Sequence, residues 1–249
     1  MSSVFLGEFL GTMVLVLMGD GVVANVVLNK TKGNSSGWIV ITAGWGLAVL
    51  AGVFVSQACG SPAAHLNPAV TVGMAIMGGI AWSAAPAFII AQFAGAFVGA
   101  ILVWLTYLPH WSATEDKAAK LGVFATAPAI RNTGANLVTE IIGTAMLVFG
   151  IAAIFSAGFG GPAGLVPGYG PYMVAMLIWG IGLSLGGPTG YAINPARDLG
   201  PRIAHAILPI SGKGDSDWGY SMVPVVGPII GAVIAAGLVI TVTSMNGAF

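Results

Sequence analysis

Asn67-Pro68-Ala69 and Asn194-Pro195-Ala196 repeat one tripeptide about half a chain apart, and each opens an apolar stretch too short to cross a bilayer. The stretches run from Pro68 to about Gly78 and from Pro195 to about Ile207. At about 1.5 Å per residue they make helices of roughly 16 to 20 Å, about half the thickness of the hydrocarbon core. Asparagine is a favoured N-cap and proline a favoured first helical residue, so both tripeptides read as helix starts. Two such half-helices, dipping in from opposite faces, would bring their positive ends together at mid-membrane. Non-helical backbone is tolerated at that depth only where it is buried in protein or lines a water-filled cavity. The pattern implies an aqueous pore whose centre repels cations and protons.

The rest of the chain supplies the solvent this reading needs. Of 249 residues, 57% are hydrophobic and 6% charged, against about 25% charged in an ordinary soluble domain. A spanning helix takes roughly 20 mainly apolar residues. Six runs qualify: Val4 to Leu28, Trp38 to Ala58, Ser83 to Leu108, Ala135 to Ala157, Tyr169 to Pro188 and Ser221 to Ser244. The first lacks a positive leader, carries Glu8 and Asp20 and is too long for a signal core, so it reads as a retained helix. No globular segment stands outside the runs, and residues 1–249 are expected to form a single membrane domain. Net charge is zero and no Lys/Arg run occurs, which argues against nucleic acid as a partner. Cys59 is the only cysteine, which excludes an intramolecular disulfide and a Cys-based metal cluster. No set of metal ligands and no nucleophile paired with a base is visible, so no metal, no cofactor and no enzymatic activity are expected.

The chain is also a duplication. Glu8-Phe-Leu-Gly-Thr12 is echoed by Glu140-Ile-Ile-Gly-Thr144, and Gln92-Phe-Ala-Gly-Ala-Phe-Val-Gly99 by Pro224-Val-Val-Gly-Pro-Ile-Ile-Gly231, with the two Asn-Pro-Ala segments between these markers in the same order. Each half holds three spans. Three is odd, so the second half enters the membrane from the opposite side, and the repeats are inverted about an axis in the membrane plane. The expected division is 1–108 for the first repeat, 109–134 for a polar linker and 135–249 for the second repeat. Glycines four apart, such as Gly7 and Gly11 or Gly227 and Gly231, suit close helix packing in lipid.

On these residues the chain resembles the major intrinsic proteins, the aquaporin and glycerol-facilitator family. Its most specific pieces are His65-Leu66-Asn67-Pro68-Ala69-Val70 and the run from Asn194 to Arg202, Asn-Pro-Ala-Arg-Asp-Leu-Gly-Pro-Arg. The resemblance implies an all-α membrane protein of the aquaporin-like fold, with six transmembrane helices and two re-entrant half-helices in inverted 3+3 repeats. It further implies a homotetramer in which every subunit holds its own pore, embedded in lipid of the cell membrane with both termini cytoplasmic. Lys30, Lys32, Lys117 and Lys120 then fall in outer loops, against the usual inside bias of Lys and Arg.

The resemblance also assigns residues. Arg197, costly in a membrane at about 2.5 to 3.5 kcal/mol on the insertion scale, matches the selectivity filter that donates hydrogen bonds to a passing hydroxyl and repels cations; an ion pair with Asp198 is the structural alternative, disfavoured because adjacent helical residues do not face each other. Trp45, Gly182 and Tyr191 match the other filter positions. Gly182 stands where water-selective relatives carry histidine, which widens the constriction, while Trp45 and Tyr191 form an apolar corner for a carbon backbone. Asn67, Pro68, Ala69, Asn194, Pro195 and Ala196 form the central constriction, and His65 matches a pore-lining histidine. Glu8 and Glu140 match acceptors that hold the re-entrant loops, a proton relay being the alternative. The implied function is passive conduction of glycerol and similar small uncharged solutes, with water. Undissociated lactic acid, dihydroxyacetone or urea as the main cargo, a water-selective pore, and a proton-coupled transporter are the other readings.

Overall fold

In the computed structural model, residues 3–160, 164–247 and 249 are described, and among them the chain is helical without strands. The helices are α1 (Ser3–Val27), α2 (Trp38–Ala58), α3 (Pro68–Ile76), α4 (Ala85–Thr106), α5 (Leu108–Ala113), α6 (Lys117–Phe124), α7 (Thr133–Phe155), α8 (Ala157–Gly160), α9 (Tyr169–Leu185), α10 (Pro195–Ile207) and α11 (Val223–Asn246). Five of them, α1, α2, α4, α7 and α11, are long and apolar enough to span a bilayer. The remaining expected span is shorter than its apolar run. Helix α9 stops at Leu185 after 17 residues, about 25 Å, because Gly186-Gly187-Pro188 follows and proline disfavours helical backbone in the residue before it.

The half-helices are present as α3 and α10, of 9 and 13 residues. Helix α3 ends at Ile76, ahead of the expected Gly78, which adopts φ +80° and closes the turn. The linker is structured as well: α6, capped by Asp116, packs against α1 and α10, and Lys120 within it is buried, donating to the Ser211 carbonyl at 2.5 Å. Cys59 is half-buried at the end of α2.

Packing follows the duplication. Helix α1 lies on α2 and α4, as α7 lies on α9 and α11. The half-helices are exchanged: α3 leans on α11 from the second half, α10 on α4 from the first. Neither half can therefore complete its interior alone. The long crossings use missing side chains at matching places, since a Cβ on Gly99 would stand 2.6 Å from the Met13 carbonyl oxygen and one on its counterpart Gly231 2.4 Å from that of Ile141. Fully buried alanines such as Ala91, Ala96, Ala100, Ala232 and Ala236 carry the same close packing further. Large apolar side chains, Ile39, Leu47, Ile90, Ile142 and Val233 among them, instead face outward from the spans, as a protein solvated by hydrocarbon requires.

Candidate functional site

The two half-helices begin side by side. Asn67 and Asn194 are extended N-caps, with φ −157° and −153°. The Asn67 side-chain oxygen accepts from Ala69 N at 2.9 Å, and that of Asn194 accepts from Ala196 N and Arg197 N at 3.0 and 3.2 Å. The amide nitrogens cross between the halves: Asn67 Nδ2 donates to the Ile193 carbonyl and Asn194 Nδ2 to the Leu66 carbonyl, both at 2.8 Å. Each amide carries two N–H groups. One is spent on the opposite loop, which leaves the other for the cavity that both residues line. Pro68 and Pro195 occupy the first helical position and, with Ala69 and Ala196, are buried in the junction.

Reaching that junction strains the loops. Ala64, Leu66, Tyr191 and Ile193 all have positive φ, from +39° to +52°, a conformation costing roughly 1 to 2 kcal/mol for an ordinary residue. Two buried carboxylates brace these turns. Glu8 accepts from Ser61 Oγ at 2.7 Å and His65 N at 2.9 Å on one oxygen, and from Leu66 N and Gln92 Nε2 at 2.8 Å on the other. Glu140 accepts from Thr189 Oγ1 at 2.6 Å, Ala192 N at 3.0 Å and Ile193 N at 2.8 Å. With their N–H groups held in this way, Leu66 and Ile193 present their carbonyls to the crossing asparagines.

Arg197 follows in the first turn of α10. Its neighbour in sequence, Asp198, is turned away and fully occupied, accepting from Thr126 N at 2.7 Å, Thr126 Oγ1 at 2.6 Å and Arg202 Nε at 2.9 Å. The guanidinium of Arg197 lies over the Trp45 ring, 4.0 Å from its centroid, within the range of a cation–π contact. Trp45 in turn lies flat on Gly19 of α1, where a Cβ would come within 2.2 Å of the indole. The remaining acid near Arg197 is Asp20, 3.8 Å away and fully buried. In the sequence Asp20 marks only a charge incompatible with a signal peptide, and nothing in its spacing links it to a residue 177 positions later.

Trp45, Tyr191 and Arg197 line a cavity of about 810 Å³ that also includes His65, Asn67 and Asn194. Away from these groups its wall is largely apolar, with Leu15, Val49, Val70, Met74, Leu147 and Ile178. Gly182 does not line it. A Cβ there would meet the Tyr191 ring at 2.7 Å, so the space that glycine vacates is filled by tyrosine, and any effect of Gly182 on the passage runs through Tyr191. Tyr191 also packs edge-on against Trp38, whose indole N–H donates to the Gly182 carbonyl at 3.0 Å. His65 Nδ1 is 3.1 Å from Thr71 Oγ1, while its Nε2 has no protein partner. Among the described residues no cluster of His, Cys, Asp or Glu could hold a metal ion.

The family model described as Major intrinsic protein matches residues 1–239. A probable glycerol uptake facilitator protein of Thermotoga maritima is 62% identical over 237 residues, covering 95% of this chain and 97% of that protein. A glycerol uptake facilitator protein of Streptococcus pneumoniae is 58% identical over 229 residues, covering 92% and 94%. Among solved structures, the X-ray structure of the aquaglyceroporin from Plasmodium falciparum superposes with a TM-score of 0.82 at 32% identity, over 95% of this chain and 94% of that one.

Proposed function

The chain belongs to the major intrinsic protein family, and from that premise we propose that it is a passive, gradient-driven channel for glycerol and other small uncharged solutes, with water, that excludes protons and ions. The observation that carries the reading is the grouping of a guanidinium with aromatic rings on the cavity wall. Arg197 lines the cavity with its guanidinium lying over the Trp45 ring and with no side-chain hydrogen bond to the protein among the described residues, and Tyr191 lines the same cavity. A polyol has hydroxyls along one edge and C–H groups along the other. The guanidinium offers five N–H donors to the first; the Tyr191 ring and the apolar wall around Leu15, Val49 and Ile178 receive the second.

Beyond this filter the solute meets the free N–H of Asn67 and of Asn194. Each half-helix start carries roughly half a positive charge, so two of them facing across the centre oppose any cation. A proton would cross the same barrier, and the donors hold a passing water oxygen toward themselves, which breaks the donor–acceptor alignment that proton hopping needs. Glu8 and Glu140 serve the fold of the loops, with their oxygens committed to fixed donors. In this reading the pore works as one subunit of a homotetramer in the cell membrane, with both termini cytoplasmic.

Stopped-flow light scattering on proteoliposomes tests it. An inward glycerol gradient should produce rapid reswelling that a protonophore leaves unchanged. Arg197→Val should keep the fold yet let ions or protons pass with the solute. Water efflux without glycerol entry, or glycerol uptake that collapses with the proton gradient, would overturn the proposal.

A further inference from the structure

Asp20 sits within α1, fully buried, and neither carboxylate oxygen has a hydrogen-bond partner among the described residues. A carboxylate in such a place is costly unless a counter-charge meets it. Arg197 Nη1 is 3.8 Å from Asp20 Oδ1. The other acid within reach in sequence, Asp198, is already held by Thr126 and Arg202. Arg197 therefore has two neighbours that fix its guanidinium: the Trp45 ring at 4.0 Å and the Asp20 carboxylate. Both depend on one dipeptide of α1, because Gly19 admits the indole and Asp20 draws the cation across it.

The internal repeat adds a separate observation. The register that aligns Glu8 with Glu140 places Gly19-Asp20 opposite Ile151-Ala152, and the register that aligns Asn67 with Asn194 places Arg197 opposite Val70. Ala152 and Val70 both line the cavity. The acid and the base thus occur together in one arrangement and are both replaced by apolar residues in its inverted counterpart.

We propose that Asp20 is the positioning residue of the selectivity filter: by attracting the Arg197 guanidinium back over Trp45 and offsetting its charge, it keeps the passage wide enough for a polyol and unattractive to anions. The proposal rests on the reading of Arg197 as a filter. Asp20 is shielded from the cavity, so it acts through the arginine and not on the solute.

A double-mutant cycle decides it, with parent, Asp20→Asn, Arg197→Val and the double variant reconstituted in proteoliposomes. Glycerol permeability, water permeability and chloride leak are measured for each. Asp20→Asn should lower the ratio of glycerol to water permeability about tenfold and raise chloride leak, the scale of change expected when a buried charge pair is lost. In the Arg197→Val background the same change should shift the ratio by less than about twofold, the usual scatter for uncoupled sites. The same effect with and without Arg197 would assign Asp20 to helix packing and overturn the proposal. Thermal midpoints give a second cycle that does not depend on Asp20→Asn folding by itself. Arg197→Val strands the carboxylate and should lower the midpoint, and adding Asp20→Asn should restore it; failure to restore it overturns the pairing. Unchanged selectivity in Arg197→Val alone would remove the filter reading, and this proposal with it.

Discussion

Glu8→Gln keeps the shape of the side chain and turns one of its two oxygens into an NH2 group, which makes it a sharp test of whether the carboxylate braces the first re-entrant loop. The four donors around Glu8 differ in what they can tolerate. Ser61 can rotate its hydroxyl to accept, and Gln92 can turn its unpartnered Oε1 toward the new amide. The N–H groups of His65 and Leu66, one on each carboxylate oxygen, cannot. Whichever way the amide lies, one backbone N–H faces another N–H, at about 1 to 3 kcal/mol for an unsatisfied buried donor. The three surviving bonds lose their charge assistance, roughly 1 kcal/mol each. Cheaper burial of a neutral group returns part of this, leaving about 2 to 4 kcal/mol out of a total stability of about 5 to 15. Glu140 has three donors and keeps two bonds, so Glu140→Gln should cost about 1 kcal/mol less. At about 2 to 4 °C per kcal/mol for a chain of this size, the thermal midpoint of detergent-solubilised protein, followed by tryptophan fluorescence, should fall by about 5 to 15 °C for Glu8→Gln and by less for Glu140→Gln. Glycerol flux should fall with it, because the Leu66 carbonyl then no longer holds Asn194. Parental stability combined with loss of a proton-driven component of uptake would refute the bracing argument and favour a relay.

Two further outcomes are expected. Gly182→Ala places a Cβ 2.7 Å from the Tyr191 ring, so the ring must move toward the cavity; glycerol permeability should drop several-fold more than water permeability, and an unchanged ratio would show that Gly182 does not act through Tyr191. Asp198→Asn removes the counter-charge of the fully buried Arg202, which costs about 3 to 5 kcal/mol when a buried ion pair is broken from one side; size-exclusion profile and thermal midpoint should both deteriorate, and a parental profile would exclude a structural role for this pair.

Architecture was largely legible because it rests on features that sequence carries locally: apolar run length, a helix-start tripeptide and its repetition. The misplaced boundaries have local causes too. Helix α9 stops where Gly186-Gly187-Pro188 overrides a run that is apolar as far as Pro188, and α3 stops two residues before Gly78, which takes a left-handed turn. What sequence could not supply was pairing across the fold. Arg197 and Asp198 are adjacent in the chain, yet they point apart because successive helical residues lie about 100° around the axis from one another, and each finds its partner elsewhere: Asp20 for Arg197, Arg202 and Thr126 for Asp198. Likewise the glycine at 182 reads from sequence as open space, whereas the structure fills that space with Tyr191.

The two halves share a scaffold, and the differences between them fall at one end. In the first half, the loop brace is closed by Gln92, which donates to both Glu8 and Thr71. The matching place in the second half is Pro224, which has no side-chain donor, and the place of Thr71 is taken by Asp198. Asp198 draws in Arg202, whose guanidinium also donates to the carbonyls of Ser216, Asp217 and Thr126. Lys213 then closes the far end of α10, donating to the carbonyls of His205, Ala206 and Leu208 at 2.6 to 2.7 Å. Helix α10 is thereby tied to the linker and to its own following loop at both ends, whereas α3 is shorter and ends in an uncharged turn. The asymmetry has a physical reason. Val70 offers the cavity only an apolar surface, whereas in the proposed filter Arg197 has to be kept at a fixed distance from a passing solute, and a displacement on the order of 1 Å in a binding group is enough to degrade its interactions severely. The half that carries the charge is the half whose helix is anchored.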